Sequence, residues 1–317
     1  MARFLLGRIL QAAVVLLAMS FVIYTLIGLM PGDPIDLMIA GNPGATPEVA
    51  AQLRKIYGLD QPLLARYGHW LGAALQGDFG WSRVHAQPVL TVLVPALWQT
   101  CKLISLSFTG AVLLSFTLGI AAARRPGGLL DAAVSLFAFA GMSVPVFWLA
   151  LMMILVFAVR LHWLPASGIA TVGDGGLADQ ARHLVMPVLT LALAQTGGFT
   201  RFVRASMLET LRLDYVRTAR AKGAGEGRVV LVHALRNALI PVVTVMALSF
   251  GSLFGGALLV ETMFAQPGMG KLIYDSVLGN DYNLALSGLL FATLVTLACN
   301  LAADLAYGWL DPRITLA

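Results

Sequence analysis

The chain has 317 residues, 58% of them hydrophobic and only 12% charged, with a formal net charge of +5. That usage is far outside the range of soluble domains and places the protein in a bilayer. Two cysteines are too few for a disulfide framework, and the span assignment below sets Cys101 and Cys299 near opposite faces of a ~30 Å core, so both are expected as free thiols.

Arg3 and Arg8 lead into an apolar run over 9–30, 22 residues long. At 1.5 Å per residue it reaches roughly 33 Å, enough to cross the hydrocarbon core. No small-residue cleavage site follows it, so it reads as a retained anchor rather than a signal peptide. The outer segment 31–94 is rich in turn chemistry, with PGDP, NPGATPE and YGLDQPL around an amphipathic piece at 63–75, and is too charged to cross.

A short interfacial stretch then precedes a second span over 95–123, opened by Pro95, with Lys102 reaching back to the surface. The third span covers 129–159 and is expected to kink at Pro145, in a block, SVPVFW, that reads as a structural kink. A shorter fourth span covers 184–200. The region 201–236 is polar and strongly basic, and spans over 237–260 and 284–307 follow. Gly251 and Gly255 have the spacing that lets one helix approach another closely, within the chain or in a partner.

Six spans put both termini on one side. With the N-terminus inside, thirteen of the 21 Lys and Arg fall on the inner side against five acids, and the outer side carries eight against ten. This bias orients the termini to the cytoplasm. The positive charge is therefore a topology signal and a partner surface, not a nucleic-acid footprint. Asp304 is left inside the sixth span near its inner end, where an arginine such as Arg124 or Arg201 is expected to anchor it; a proton relay is the sharper alternative.

A nucleotide site needs a glycine-rich loop ending in Gly-Lys-Ser/Thr, and the only Gly-Lys pair, Gly270 and Lys271, is followed by Leu272. His69, His85, His162, His183 and His233 are scattered and form no ligand cluster, and no catalytic triad is legible. The expectation is therefore a chain that is not an enzyme and binds neither cofactor nor metal.

The inner segment LRLDYVRTARAK, 211–222, has helical spacing, with Asp214 early, Arg220 and Lys222 late, and a stop at Gly223. A helix of about twelve residues is marginal alone in water, so one face must pack on something. Two readings stay open from the residues: a helix lying on anionic lipid, or a docking element. At the other face, ETMFAQPGMG reads either as a plain turn or as a capping loop, in which Gly268 would supply any positive φ that the turn needs.

The frame Glu-Ala-Ala, three residues, Gly, nine residues, Ile, any residue, Leu-Pro is the cytoplasmic signature of ATP-binding-cassette importer permeases. Ala219, Gly223 and Leu235 keep it, while Arg217, Thr218, His233 and Arg236 depart from it. DYVRTARAKG followed by HALRNALIPVV is much closer to the version found in the dipeptide, oligopeptide and nickel branch. PGDP, YGLDQPL, GDFGWS, SVPVFW, WLPASG, RASMLE, ETMFAQPGMG and LDPRI extend the resemblance along essentially the whole chain, in order.

The resemblance implies an all-α polytopic fold of six transmembrane helices, the type I importer permease fold, with 1–317 as one transmembrane domain. It implies a permease subunit of an ATP-driven importer in the bacterial inner membrane, moving peptides or a related small solute. Partners would be a second homologous permease, two cytoplasmic ATP-binding subunits that carry the ATP and Mg, and an extracytoplasmic solute-binding protein. An ion-gradient-driven secondary transporter is the alternative. By the same resemblance Asp214, Tyr215, Arg217, Thr218, Ala219, Ala221, Lys222 and Gly223 form the coupling helix that docks on an ATPase subunit. Phe264, Gln266, Pro267, Gly268 and Gly270 form an outer loop facing the binding protein and the translocation path.

Overall fold

The computed structural model describes residues 2–29, 35, 39, 46–56 and 60–310; PGDP, the first residues of YGLDQPL and nearly all of LDPRI lie outside them. Helix α1, Ala2–Gly28, carries the first apolar run and packs along the last helix. The outer segment holds α2, Pro47–Ile56, and α3, Leu63–Leu75, which matches the amphipathic piece read from the sequence. It then forms a small hairpin, β1 Trp81–Ser82 against β2 Gln87–Pro88, that hydropathy did not foreshadow.

Helix α4 runs unbroken over Val89–Arg124, so the interfacial stretch and the start at Pro95 are corrected: Pro95 lies within the helix. The third span is also corrected. It is not a kinked rod but two pieces, α5 Leu129–Ser143 and α6 Val146–Met153, the latter continuing as a π-helix over Ile154–Arg160, with a 104° bend between them. The cause is local. A residue before proline is pushed toward extended backbone, and Val144 at ψ 122° and Pro145 at ψ 139° both leave the helical region.

Helix α7, Leu177–Thr210, encloses the expected fourth span and extends well beyond it at both ends. Helix α8, Asp214–Ala221, is followed by a turn of helix, Glu226–Arg228, and a second π-helix, Val229–Ala234. Helices α9, Leu235–Met263, α10, Met269–Leu278, and α11, Tyr282–Leu310, complete the chain. Among the described residues three helices, α1, α4 and α11, are long and apolar enough to cross a membrane. The count reaches five if the two bent pairs, 129–160 and 226–251, each form one span.

The bundle centres on α7, which packs against α4 most extensively, and also against α5 and α9. Membrane helices gain nothing from hiding apolar groups in apolar lipid, so close backbone approach between small residues does the work. Ser107, Ala111, Ser115, Gly119 and Ala122 recur at three- and four-residue spacing on α4 and are all buried. A Cβ on Gly119 would lie 2.7 Å from the Val203 side chain, and one on Gly197 would lie 2.6 Å from the Ala138 carbonyl of α5. Gly119→Leu is accordingly expected to cost about 1–3 kcal/mol by overpacking the α4–α7 contact, read as a fall in the thermal midpoint of the detergent-solubilised protein.

Ion pairs tie helices together at one end of the bundle. Arg204 of α7 donates two hydrogen bonds to the buried Asp131 of α5, at 2.5 and 2.7 Å, and the Gly127 amide donates a third at 2.8 Å. Asp304 pairs with Arg8, at 3.2 Å, and not with the arginines the sequence suggested; Arg201 instead lies over the Phe139 ring, 4.9 Å from its centroid. Asp304 thus ties α11 to α1. Gly251 faces Thr296 and Asn300 of α11, an intramolecular neighbour, while the packing of Gly255 lies outside the described residues. Cys101 and Cys299 are both free thiols, as expected.

Candidate functional site

At the end of the bundle expected to face inward, α7 ends at Thr210 and three turn residues separate it from α8. The helix expected over 211–222 is therefore eight residues long, beginning at Asp214. Asp214 lies in the first turn and Arg220 in the last, both favourable to the helix dipole. Lys222 closes it, and Gly223 turns the chain away at φ +82°, a region that favours glycine.

The burial pattern assigns the faces of α8. Val216 is fully buried and roots the helix against the following π-helix. Asp214, Arg217, Thr218 and Ala221 are exposed on the opposite side, and Ala219 is half-buried at the edge. Tyr215 is also exposed, at 38%, on a flank of α8. Its hydroxyl donates to the His233 carbonyl at 3.3 Å and accepts from Asn237 Nδ2 at 2.8 Å, so this expected docking residue is turned toward the chain's own fifth span. Arg220 and Glu226 pair across the turn at 2.6 Å, and that hydrogen bond holds the Glu226 carboxyl below its ordinary range.

At the opposite end of the bundle, the end of α9 and the start of α10 enclose Glu261, which is 1% exposed. Its carboxylate accepts from Thr100 Oγ1 of α4 at 2.5 Å and from the Lys271 amide at 3.0 Å, and Thr100 in turn accepts from the Met269 amide at 2.7 Å. A buried carboxylate with no cation beside it is thereby satisfied by the free amides at a helix N-terminus, the place where backbone donors are unpaired.

This arrangement corrects the reason for glycine in PGMG. Gly268 has φ −90°, not a positive value; what excludes a side chain is space, since a Cβ there would lie 2.1 Å from the Glu261 carboxyl. Gly270 is crowded in the same way, its Cβ falling 2.9 Å from Leu258 Cα. The residue with positive φ in this loop is Ala265, at +47°.

Of the outer-loop candidates, Phe264, Gln266 and Gly268 are buried and only Pro267 is exposed, with Gly270 between. The loop is held from below by the WLPASG block. The Gly168 amide donates to the Phe264 carbonyl at 2.9 Å, and Gln266 Nε2 donates to the Gly168 carbonyl at 2.7 Å. A second clasp joins the GDFGWS block to the turn after α10. Ser82 Oγ and the Val84 amide donate to the buried Asp281 carboxylate at 2.5 and 3.1 Å, Arg83 donates to the Gly279 carbonyl, and Asn283 donates to the Trp81 carbonyl. Motifs far apart in sequence thus interlock in pairs.

Glu261, Thr100, Asp281 and Asn237 were not singled out from the sequence, although Glu261 heads the ETMFAQPGMG block. Only the fold brings α4 and the hairpin to them. Among the described residues no group of His, Cys, Asp and Glu has the arrangement of a metal site.

Comparison with known proteins adds the following. Residues 115–316 match the model of the family described as binding-protein-dependent transport system inner membrane component, and residues 1–101 match that family's N-terminal membrane component. The chain is 37% identical over 316 residues to the oligopeptide transport system permease protein of Bacillus subtilis, covering 99% of both. It is 36% identical over 333 residues to the dipeptide transport system permease protein of Alkalihalophilus pseudofirmus, again over 99% of both. Among solved structures it resembles an amino acid ABC transporter crystallised with histidines, at a TM-score of 0.53 and 13% identity, covering 71% of this chain and 94% of that one.

Proposed function

We infer the working of this protein from one premise: the chain belongs to the binding-protein-dependent transport system inner membrane component family, whose members are membrane permeases of ABC transporters. It is a permease of an ATP-driven importer with the helical fold of that class. On that premise we propose that it takes peptides or a related small solute from an extracytoplasmic binding protein, beside a second homologous permease, in the inner membrane of a bacterium. ATP and Mg are handled by two cytoplasmic subunits; this chain contributes the path and the coupling surface and binds no cofactor of its own.

The observation that carries this reading is α8. An eight-residue helix is too short to persist by itself, yet it is rooted by Val216 and presents Asp214, Arg217, Thr218 and Ala221 outward beside the basic region 201–236. Closure of the ATP-bound subunits would displace this helix and, through it, the spans. Pairing of Asp304 with Arg8 supports an anchoring role for this acid over the proton relay that an ion-gradient mechanism would use.

The direct test is uptake into vesicles. Import should require both ATP and a separate binding protein, and import driven by an ion gradient alone would overturn the proposal. Orientation is tested separately with Gly225, which is exposed in the turn after α8. With both native cysteines replaced, Gly225→Cys should be shielded from an impermeant thiol reagent in intact cells and labelled after lysis, since basic loops stay cytoplasmic. Ready labelling in intact cells would reverse the topology.

A further inference from the structure

We propose that Tyr215 is the positioning residue through which α8 moves the inner end of the fifth span; this rests on the reading of α8 as the coupling helix. A tyrosine hydroxyl has one proton to donate and lone pairs to accept, and here both functions are spent on the fifth span: the proton on the His233 carbonyl and a lone pair on the Asn237 amide. His233 lies in the π-helix Val229–Ala234, and Asn237 lies in the first turn of α9. The link therefore spans the junction where the helix changes from π to α winding.

That junction is built to move as a piece. π-helical insertions are frequent at functional sites, and their i→i+5 hydrogen bonds interrupt the regular α-helical ladder. Four residues beyond Asn237, Pro241 lacks the amide that the Asn237 carbonyl would otherwise receive. The helix bends by 53° there, between 226–239 and 241–251, and Ser206 Oγ of α7 donates to the Ala238 carbonyl at 2.8 Å beside the bend. Below the bend the segment is gripped by Tyr215; above it, α9 runs on to Glu261 and the outer loop. A displacement of α8 is thus delivered to a lever whose hinge is Pro241.

Arg220 also pairs with Glu226, but that pair joins α8 to the turn of helix that follows it and does not reach α9. Val216 fixes the seat of α8 but is apolar, and so has no preferred direction of pull. The Tyr215 hydroxyl is the directional contact.

The experiment uses the complete complex with its ATPases and binding protein, and a tritiated hydrolysate of short peptides as probe. Tyr215→Phe removes one oxygen and keeps the ring. It should retain the ATPases at wild-type stoichiometry, while peptide imported per ATP hydrolysed falls at least threefold relative to wild type. Asn237→Ala should do the same, and the double variant should be no worse than either single, because both remove one link. An unchanged import-to-hydrolysis ratio in Tyr215→Phe, loss of the ATPases from that variant, or additive effects in the double variant would each overturn the proposal. Failure of the underlying reading has a different signature: Ala221→Glu, on the outward face, would keep its ATPases.

Discussion

Replacing Ala221 with Glu is expected to leave the protein inserted in the membrane and joined to its partner permease, but to strip the ATPase subunits on purification and abolish uptake. Sequence reasoning alone points to Ala219 for such a test. The structure prefers Ala221, because Ala219 is half-buried against its own chain and Ala221 is exposed beside Thr218 and Arg217. A charge introduced at Ala219 would confound intramolecular packing with docking; at Ala221 it meets only what arrives from outside. An unpaired charge in a packed interface costs about 3–5 kcal/mol, which is roughly a hundredfold or more in affinity. The added acid also opposes the dipole at the C-terminal end of α8, an effect of about 0.3–1 kcal/mol, so Ala221→Gln, equal in size and uncharged, is the control. Co-purification of Ala221→Glu with its ATPases at wild-type stoichiometry would reassign α8 to the lipid surface.

Gly268→Val should be nearly as damaging, for a reason that lies in a neighbouring side chain rather than in the backbone. With φ at −90°, valine is conformationally acceptable at 268, but its Cβ would sit 2.1 Å from the Glu261 carboxyl. Either the loop lifts from α4 or Glu261 leaves its seat. Expulsion leaves the Thr100 hydroxyl and the Lys271 amide without their acceptor. Overpacking costs about 1–3 kcal/mol, and each buried donor left unsatisfied adds about 1–3 kcal/mol. The expected outcome is an assembled complex that does not import. The clash hypothesis has its own check. In a Glu261→Ala background, where the obstructing carboxylate is gone, Gly268→Ala should cost far less than it does in the wild type. Equal costs in the two backgrounds would place the constraint elsewhere, and normal uptake by Gly268→Val would remove the loop from consideration as a functional element.

Glu261 itself shows why the outer site was only half legible. Its motif is visible as a block, and Pro267 and Gly268 lead into α10, which begins at Met269, but a glycine demanded by a neighbouring side chain looks the same in sequence as one demanded by φ. The carboxylate that settles the matter is seven residues upstream on another helix, and Thr100, which completes the clasp, is 161 residues away. Tyr215 is a similar case. Helical spacing placed it with the small and basic residues of the inner segment, and nothing local could say that its hydroxyl is claimed by Asn237, 22 residues later.

What the sequence determined by itself is what depends on short range and on the solvent. Apolar runs long enough to cross a bilayer, the sidedness of arginine and lysine, the Gly223 stop and the family motifs are all local or additive along the chain, and the bilayer reads them one segment at a time. The tertiary structure decided where those segments break and what their polar groups meet. The 104° turn at Val144 and Pro145, the exchange of Arg124 or Arg201 for Arg8 beside Asp304 and the tie of Tyr215 to Asn237 all depend on which helices become neighbours. Between membrane helices that choice is set by close packing of small residues and by the pairing of buried polar groups, both of which are properties of two surfaces together and neither of which is written in one helix alone.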